Sequence, residues 1–265
     1  MELEIVSSDG ITIDSEQGLT TSTPTPTSLT LLKTVQLPAR PLSVCHYKGS
    51  TYVGLENNTV ARINSNYQLY ESFITCSNPV ESVVIYKDLV YMLLWTGSVS
   101  HIVRVCDMSG RQTAQWNHSC TAGWCCNVLT IVSDQVVIAD PPNNRITIYS
   151  LTGQILRHVP CSLLTEGVEV MRAVNDSSVV VSDRLSSLVF RFNITTGDVM
   201  WTYKDVSGPL GVTCYGRRYV LVAINGCNIV KMLNLETGQR FKLIPYYIFN
   251  SLIALISPNY CQAPN

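Results

Sequence analysis

Charge is scarce in this sequence. Charged side chains make up 14% of its 265 residues and balance to a formal net charge of −1, so the chain carries no overall basic field to hold nucleic acid or anionic lipid. The opening Met1-Glu-Leu-Glu-Ile-Val-Ser-Ser-Asp9 lacks the basic and continuously apolar regions of a secretory signal, which predicts an unsecreted, cytoplasmic protein. No apolar run is long enough for a membrane-spanning helix, and the stretch from Tyr246 to Ile256 is broken by Asn250 and Ser251. A Gly-rich phosphate loop, a nucleophile elbow and a Ser–His–Asp spacing are all missing. The 10 cysteines are scattered without the paired spacing of zinc knuckles or of a small disulfide scaffold, and are expected to be buried thiols. The N-glycosylation strings at Asn57, Asn117, Asn175 and Asn193 are read as chance occurrences in turns.

What the sequence has is repetition. Val136 to Ala139 is a short β-branched run, Asp140 to Asn144 is turn chemistry, Ile146 to Leu151 is again rich in β-formers, and Thr152-Gly153 closes the unit. The closing position recurs at Asn66, Gly110, Gly153, Gly197 and Gly238, at intervals of 44, 43, 44 and 41 residues. A period of that length carrying four short strands is a propeller blade, because one such sheet cannot bury both faces without stacking on its neighbours. The second strand of each unit (Tyr52-Val, Val90-Tyr-Met-Leu, Val136-Val-Ile, Val179-Val-Val, Tyr219-Val-Leu-Val) is the most hydrophobic and is expected to be buried on both faces.

After Gly238 one more outer strand and one inner strand, Ser251 to Ile256, follow. Ser28 to Leu37 has the phase of an outermost strand. The expectation is an all-β, six-bladed propeller over residues 28–265, with five full blades and a sixth left incomplete or closed by the N-terminal strand. Residues 1–27 are read as an N-terminal segment, with a possible hairpin about Asp9-Gly10, running into a Thr/Ser/Pro-rich linker.

Ala139, Asp140, Asn143, Asn144, Arg145, Ile146 and Gly153 resemble the blade signature of the NHL repeat. The whole of 28–256 resembles the NHL-type propeller at the C-terminus of tripartite-motif proteins; the Gly-His and Trp-Asp punctuation of WD40 repeats is absent. The resemblance implies a module that recognises a protein partner or peptide. In that family a RING, B-boxes and a coiled coil ahead of the propeller confer ubiquitin-ligase activity, and no Cys/His knuckles occur before residue 28, so ligase activity is not expected of this chain.

Loops entering the inner strands converge on the channel mouth, which makes Glu81, Trp124, Asn127, Glu169 and Leu210 the candidate partner-binding residues, with Trp124 the best single anchor. The competing readings are chemical. Glu81, Asn127, Glu169 and Asn250 would form an oxygen ring of the kind that holds Ca²⁺, an arrangement that lactonase-like and gluconolactonase-like hydrolases resemble. No hydrolase motif surrounds these residues, so no metal, cofactor or enzymatic activity is expected. Arg104, Arg191 and Lys231 fall at similar places before their blade glycines and are the RNA-binding alternative, since some NHL propellers bind RNA. His118-Ser-Cys120-Thr-Ala-Gly-Trp-Cys125-Cys126 lacks spaced zinc ligands and is read as a packed connection, and Asp140 and Asp183 as acceptors of backbone N–H groups.

Overall fold

Ser-Val-Val-Val-Ser-Asp over 178–183 and Tyr-Val-Leu-Val-Ala-Ile over 219–224 are β-branched runs too short for helices, and turn residues with positive φ border them, Ser187 and Gly216 among others. Such runs pair with their neighbours in sequence. The computed structural model describes residues 2–8, 29–97, 100–119, 128–204, 206–224, 229–245 and 252–255. Its strands are numbered β1 to β23 in chain order.

Five four-stranded antiparallel sheets account for most of the chain, each ordered from channel to rim as in the sequence. The first holds β3 (Pro41–Tyr47), β4 (Ser50–Leu55), β5 (Thr59–Ile63) and β6 (Leu69–Thr75). The second holds β7 (Val80–Tyr86), β8 (Leu89–Trp95), β9 (Ser100–Asp107) and β10 (Gln112–Ser119). The third holds β11 (Leu129–Val132), β12 (Gln135–Asp140), β13 (Arg145–Ser150) and β14 (Ile155–Pro160). The fourth holds β15 (Val168–Ala173), β16 (Ser178–Asp183), β17 (Leu188–Asn193) and β18 (Val199–Tyr203). The fifth holds β19 (Pro209–Tyr215), β20 (Tyr219–Ile224), β21 (Ile229–Asn234) and β22 (Arg240–Pro245). As the hydrophobicity of the second strands foretold, β4, β16 and β20 are buried along their whole length.

The expectation of six blades is corrected: the described residues form five blades and a different, three-stranded sheet. That sheet joins β1 (Glu2–Ser8), β2 (Leu29–Gln36) and β23 (Leu252–Leu255) in the order β2-β1-β23. β1 is antiparallel to β2 but parallel to β23, a pairing that an up-and-down meander of short hairpins cannot make. β23 lies against both β19 and β3, so this sheet closes the ring between the fifth blade and the first. Five positive-φ residues end third strands, at Tyr67, Gly110, Gly153, Gly197 and Gly238, one per blade. The residues of the hairpin expected about Asp9 and Gly10 lie outside the described ones.

Blades pack face to face through apolar side chains. Cys76, Val80, Val83 and Met92 belong to the core between the first two blades, and Val159, Met171, Val181 and Phe190 to that between the third and fourth. Leu3 of β1 is fully buried with Val53, Leu55 and Ile63 of the first blade, a contact that contributes roughly 1.5–3 kcal/mol. Polar ties follow the same ring. On the lower face Lys48 Nζ reaches Asp88 at 2.7 Å, Lys87 Nζ reaches Asp134 at 2.6 Å, and Ser133 Oγ donates to the carbonyl of Asp176 at 3.0 Å. In each case the first residue of one inner hairpin turn holds the turn of the next blade. Arg172 makes a longer crossing: its Nη2 donates to the Val44 carbonyl at 2.9 Å, joining the inner strand of the fourth blade to that of the first.

Candidate functional site

The upper face is the end at which inner strands begin and second strands turn into third strands. In four blades the inner strand starts with a one-residue bulge, and the bulged residues are Leu42, Glu81, Glu169 and Leu210. A bulge re-aims a side chain out of the regular alternation, and all four are half-exposed. Glu81, Glu169 and Leu210, selected from sequence phase alone, thus occupy equivalent places around the upper mouth. Trp124, Asn127 and Asn250 lie outside the described residues.

The two carboxylates are already engaged. Glu81 Oε2 accepts from Nε2 of buried His101 at 2.9 Å, and Glu169 Oε1 accepts from Nε of Arg184 at 2.6 Å. Among the described residues no group of three or more His, Cys, Asp or Glu side chains is placed to hold a metal.

Beside Glu169 the turn after β16 presents Leu185, the most exposed of the large apolar side chains in the described chain at 62%. Its turn is built from below. Asp183, fully buried, accepts from Thr165 N at 2.8 Å, from Thr165 Oγ1 at 2.7 Å and from Ser186 N at 3.0 Å, and Ser187 takes the left-handed conformation. Gly167 backs the knob: a Cβ there would fall 2.4 Å from Leu185 N and 2.6 Å from its Cβ, so only glycine lets the turn sit down. The result is an apolar side chain held out to solvent on a rigid base, above the Glu169–Arg184 pair. Sequence reasoning passed over Leu185; the available signal was a lone leucine in a polar turn directly after Asp183-Arg184.

The signature residues of the third blade are structural. Asp140 is fully buried; its carboxylate accepts from Asn143 Nδ2 at 2.9 Å and from Arg145 Nε at 2.8 Å, which fixes the turn between β12 and β13. Next to it, at the contact of the second and third blades, His118 is 1% exposed; its Nδ1 is hydrogen-bonded to the Tyr149 hydroxyl at 2.8 Å, and its Nε2 has no partner among the described residues. Burial, the largest cause, brings the His118 pKa down to about 4, so the imidazole is neutral at pH 7. Burial likewise pushes the Tyr149 phenol up to about 12.

The three cations proposed for RNA do not make one surface. Arg104 and Lys231 both project toward the preceding blade, Arg104 reaching the Thr75 carbonyl and Lys231 lying 5.6 Å from the Tyr203 ring. Arg191 points the other way and is only 2% exposed; it donates to Ser178 Oγ, to the Leu235 carbonyl and to Glu236. Its guanidinium ties the fourth blade to the fifth.

No protein-family model and no curated protein sequence matches the chain. Solved structures do match. The WD40 β-propeller domain of Doa1 superposes with a TM-score of 0.59 at 16% identity, covering 76% of this chain and 67% of that one. The computationally designed Ika8 protein gives 0.55 at 14% identity, covering 82% and 78%. Virginiamycin B lyase from Staphylococcus aureus gives 0.58 at 14%, covering 77% and 69%. At such identities the likeness shows the fold alone, a β-propeller.

Proposed function

We propose that this propeller is a protein-recognition module without a catalytic site of its own, and that its upper face holds a segment of a partner protein. The observation that carries this reading is Leu185, an exposed apolar knob whose turn is locked by buried Asp183 and seated on Gly167. Pre-organised apolar anchors lose little freedom on binding, and they dominate the energetics of protein interfaces. Half-exposed Leu42 and Leu210 add apolar surface on the same face, and the Glu169–Arg184 and Arg40–Glu56 pairs add charged surface. The carboxylates there serve His101, Arg184 or backbone N–H groups, which supports binding over chemistry. The resemblance of Ala139–Gly153 to the NHL repeat supports a role of the tripartite-motif kind.

The test is affinity capture on the wild-type chain, followed by direct titration of the identified partner against purified Leu185→Asp and Leu210→Asp. Leu185→Asp is expected to weaken binding at least about tenfold with the fold intact. A partner whose affinity ignores both substitutions, or whose capture disappears on nuclease treatment, overturns the reading.

A further inference from the structure

The rim carries a second pattern; of its residues Phe241 also packs inside its own blade, its ring centroid 5.1 Å from that of Tyr219. In blades two to five the outer strand begins with its own one-residue bulge. The bulged residue is Thr113 in the second blade but Leu156, Met200 and Phe241 in the third, fourth and fifth. All three are exposed, Phe241 at 54%, and another exposed apolar side chain accompanies each on its strand: Ile155, Val199 and Leu243. Solvent-facing edge strands are ordinarily kept polar, as β10 is with exposed Gln112, Thr113 and Gln115. Three consecutive blades depart from that rule at the same position.

The outer strands of the third and fifth blades are basic as well. β14 and β22 carry Arg157, Arg240 and Lys242 and no acidic residue, whereas β18 is uncharged and stands in the sequence between Asp198 and Lys204-Asp205. This stands against a net charge of −1 for the whole chain.

We propose that the rim of blades three to five is a second binding surface, which takes a flexible acidic segment of another protein, one bearing apolar side chains among its carboxylates. Successive blades are turned about the central axis, so Leu156, Met200 and Phe241 point in diverging directions. A flat bilayer meets one blade at a time, but a flexible chain follows the curve and sets an apolar residue against each knob. Arg157 of β14 and Arg240 and Lys242 of β22 supply the complementary charge. RNA would use the cations and stack a base on Phe241 at most, leaving Leu156 and Met200 idle.

Fluorescence anisotropy on the full chain tests this with a labelled peptide of roughly 25 residues made of Glu, Asp, Leu, Phe, Ser and Gly, about 80 Å when extended. A peptide of the same charge with Ser for Leu and Phe, a single-stranded RNA and phosphatidylserine vesicles are measured beside it. The acidic, apolar peptide is expected to bind best. Leu156→Ser, Met200→Ser and Phe241→Ser together should weaken it about tenfold or more, Arg157→Glu with Lys242→Glu should do the same and flatten its salt dependence, and Leu185→Asp should leave it unchanged. If the triple variant fails to give a native circular dichroism spectrum, Met200→Ser alone, with about a threefold loss expected, takes its place. The proposal is overturned if the wild-type chain does not bind the peptide, if the serine peptide, RNA or vesicles bind as tightly, or if the rim substitutions change nothing.

Discussion

Trp201 lies against Gly238 of the following blade so closely that a Cβ at residue 238 would stand 2.6 Å from Trp201 Cδ2, and Trp116 repeats the contact on Gly153 at 2.5 Å. The glycine that ends each of these third strands therefore does two things: it takes a positive φ of 69° or 93°, and it leaves room for the outer tryptophan of the blade before it. The two clasps differ in one respect. Trp201 Nε1 donates to the Leu235 carbonyl at 2.8 Å, whereas Trp116 Nε1 is buried without a partner among the described residues. The turn of the third blade is one residue shorter, closed by Gln154 onto Ser150, where that of the fifth is closed by Gln239 onto Asn234.

Gly238→Ala and Gly153→Ala should each destabilise the fold by about 2–4 kcal/mol, adding the cost of left-handed backbone to that of displacing an indole. Gly49 is the control, because it has φ of +73° and no atom within 4 Å of an added Cβ. Gly49→Ala should cost about 1 kcal/mol. Urea melts of the three variants check this; equal losses at all three positions would show that the tryptophan contact is immaterial.

Acid should weaken the fold through His118. Its folded pKa of about 4 lies below the ordinary imidazole value of 6.5, so the unfolded chain binds the proton more readily. The stabilising effect of the neutral imidazole is complete above pH 6.5 and is lost as the pH falls through 6.5 toward 4, by on the order of 3 kcal/mol. Burial lowers the His46 pKa as well and acts in the same direction. Denaturant titrations between neutral and acid pH should show this loss in the wild type and a shallower one in His118→Gln; parallel curves would remove His118 as the cause.

Arg172→Met should destabilise the ring by about 1–2 kcal/mol through loss of its bond to the Val44 carbonyl. Lys48→Met breaks a tie that also joins two blades, but that pair stands in solvent and its loss should not be measurable. Thermal unfolding of the two variants decides between a ring braced through its channel and one braced at its surface.

Asp183→Ala leaves Thr165 N and Ser186 N without their acceptor and should cost about 3 kcal/mol, with Asp183→Asn milder. Both should loosen the Leu185 turn, seen as faster amide exchange over 184–187 than in the equivalent turn at Asn143–Asn144. Unchanged exchange would show that Gly167 alone holds the knob.

The blades were legible because their punctuation has a local cause. Positive φ at the end of the third strand recurs 41 to 44 residues apart, and glycine meets it in four blades. In the first blade the residue is Tyr67, one place beyond Asn66, because Asn64 Oδ1 accepts from the amides of Asn66 and Gln68 and shapes that turn by itself. The closing sheet was legible in two of its strands, β2 and β23, but not in its pairing. It pairs Leu3 with Leu252 in parallel, and no pattern within either strand specifies a partner so distant in sequence. The upper mouth was legible in its positions but not in its anchor. Phase put Glu81, Glu169 and Leu210 at equivalent bulges, whereas the exposure of Leu185 depends on Gly167, brought beneath it by tertiary packing.

The parallel pairing of β1 with β23 also sets an order of events during synthesis. Leu3 can take its seat on the first blade as soon as β4 and β5 have left the ribosome, but the other edge of β1 waits for residues 252–255. Until then the nascent chain is an open arc of blades with two unsatisfied ends, the condition in which strands pair with the wrong neighbour. Residues 252–255 act as a latch, and a ribosome stalled shortly before them holds a protein whose five blades are present and whose ring is not closed.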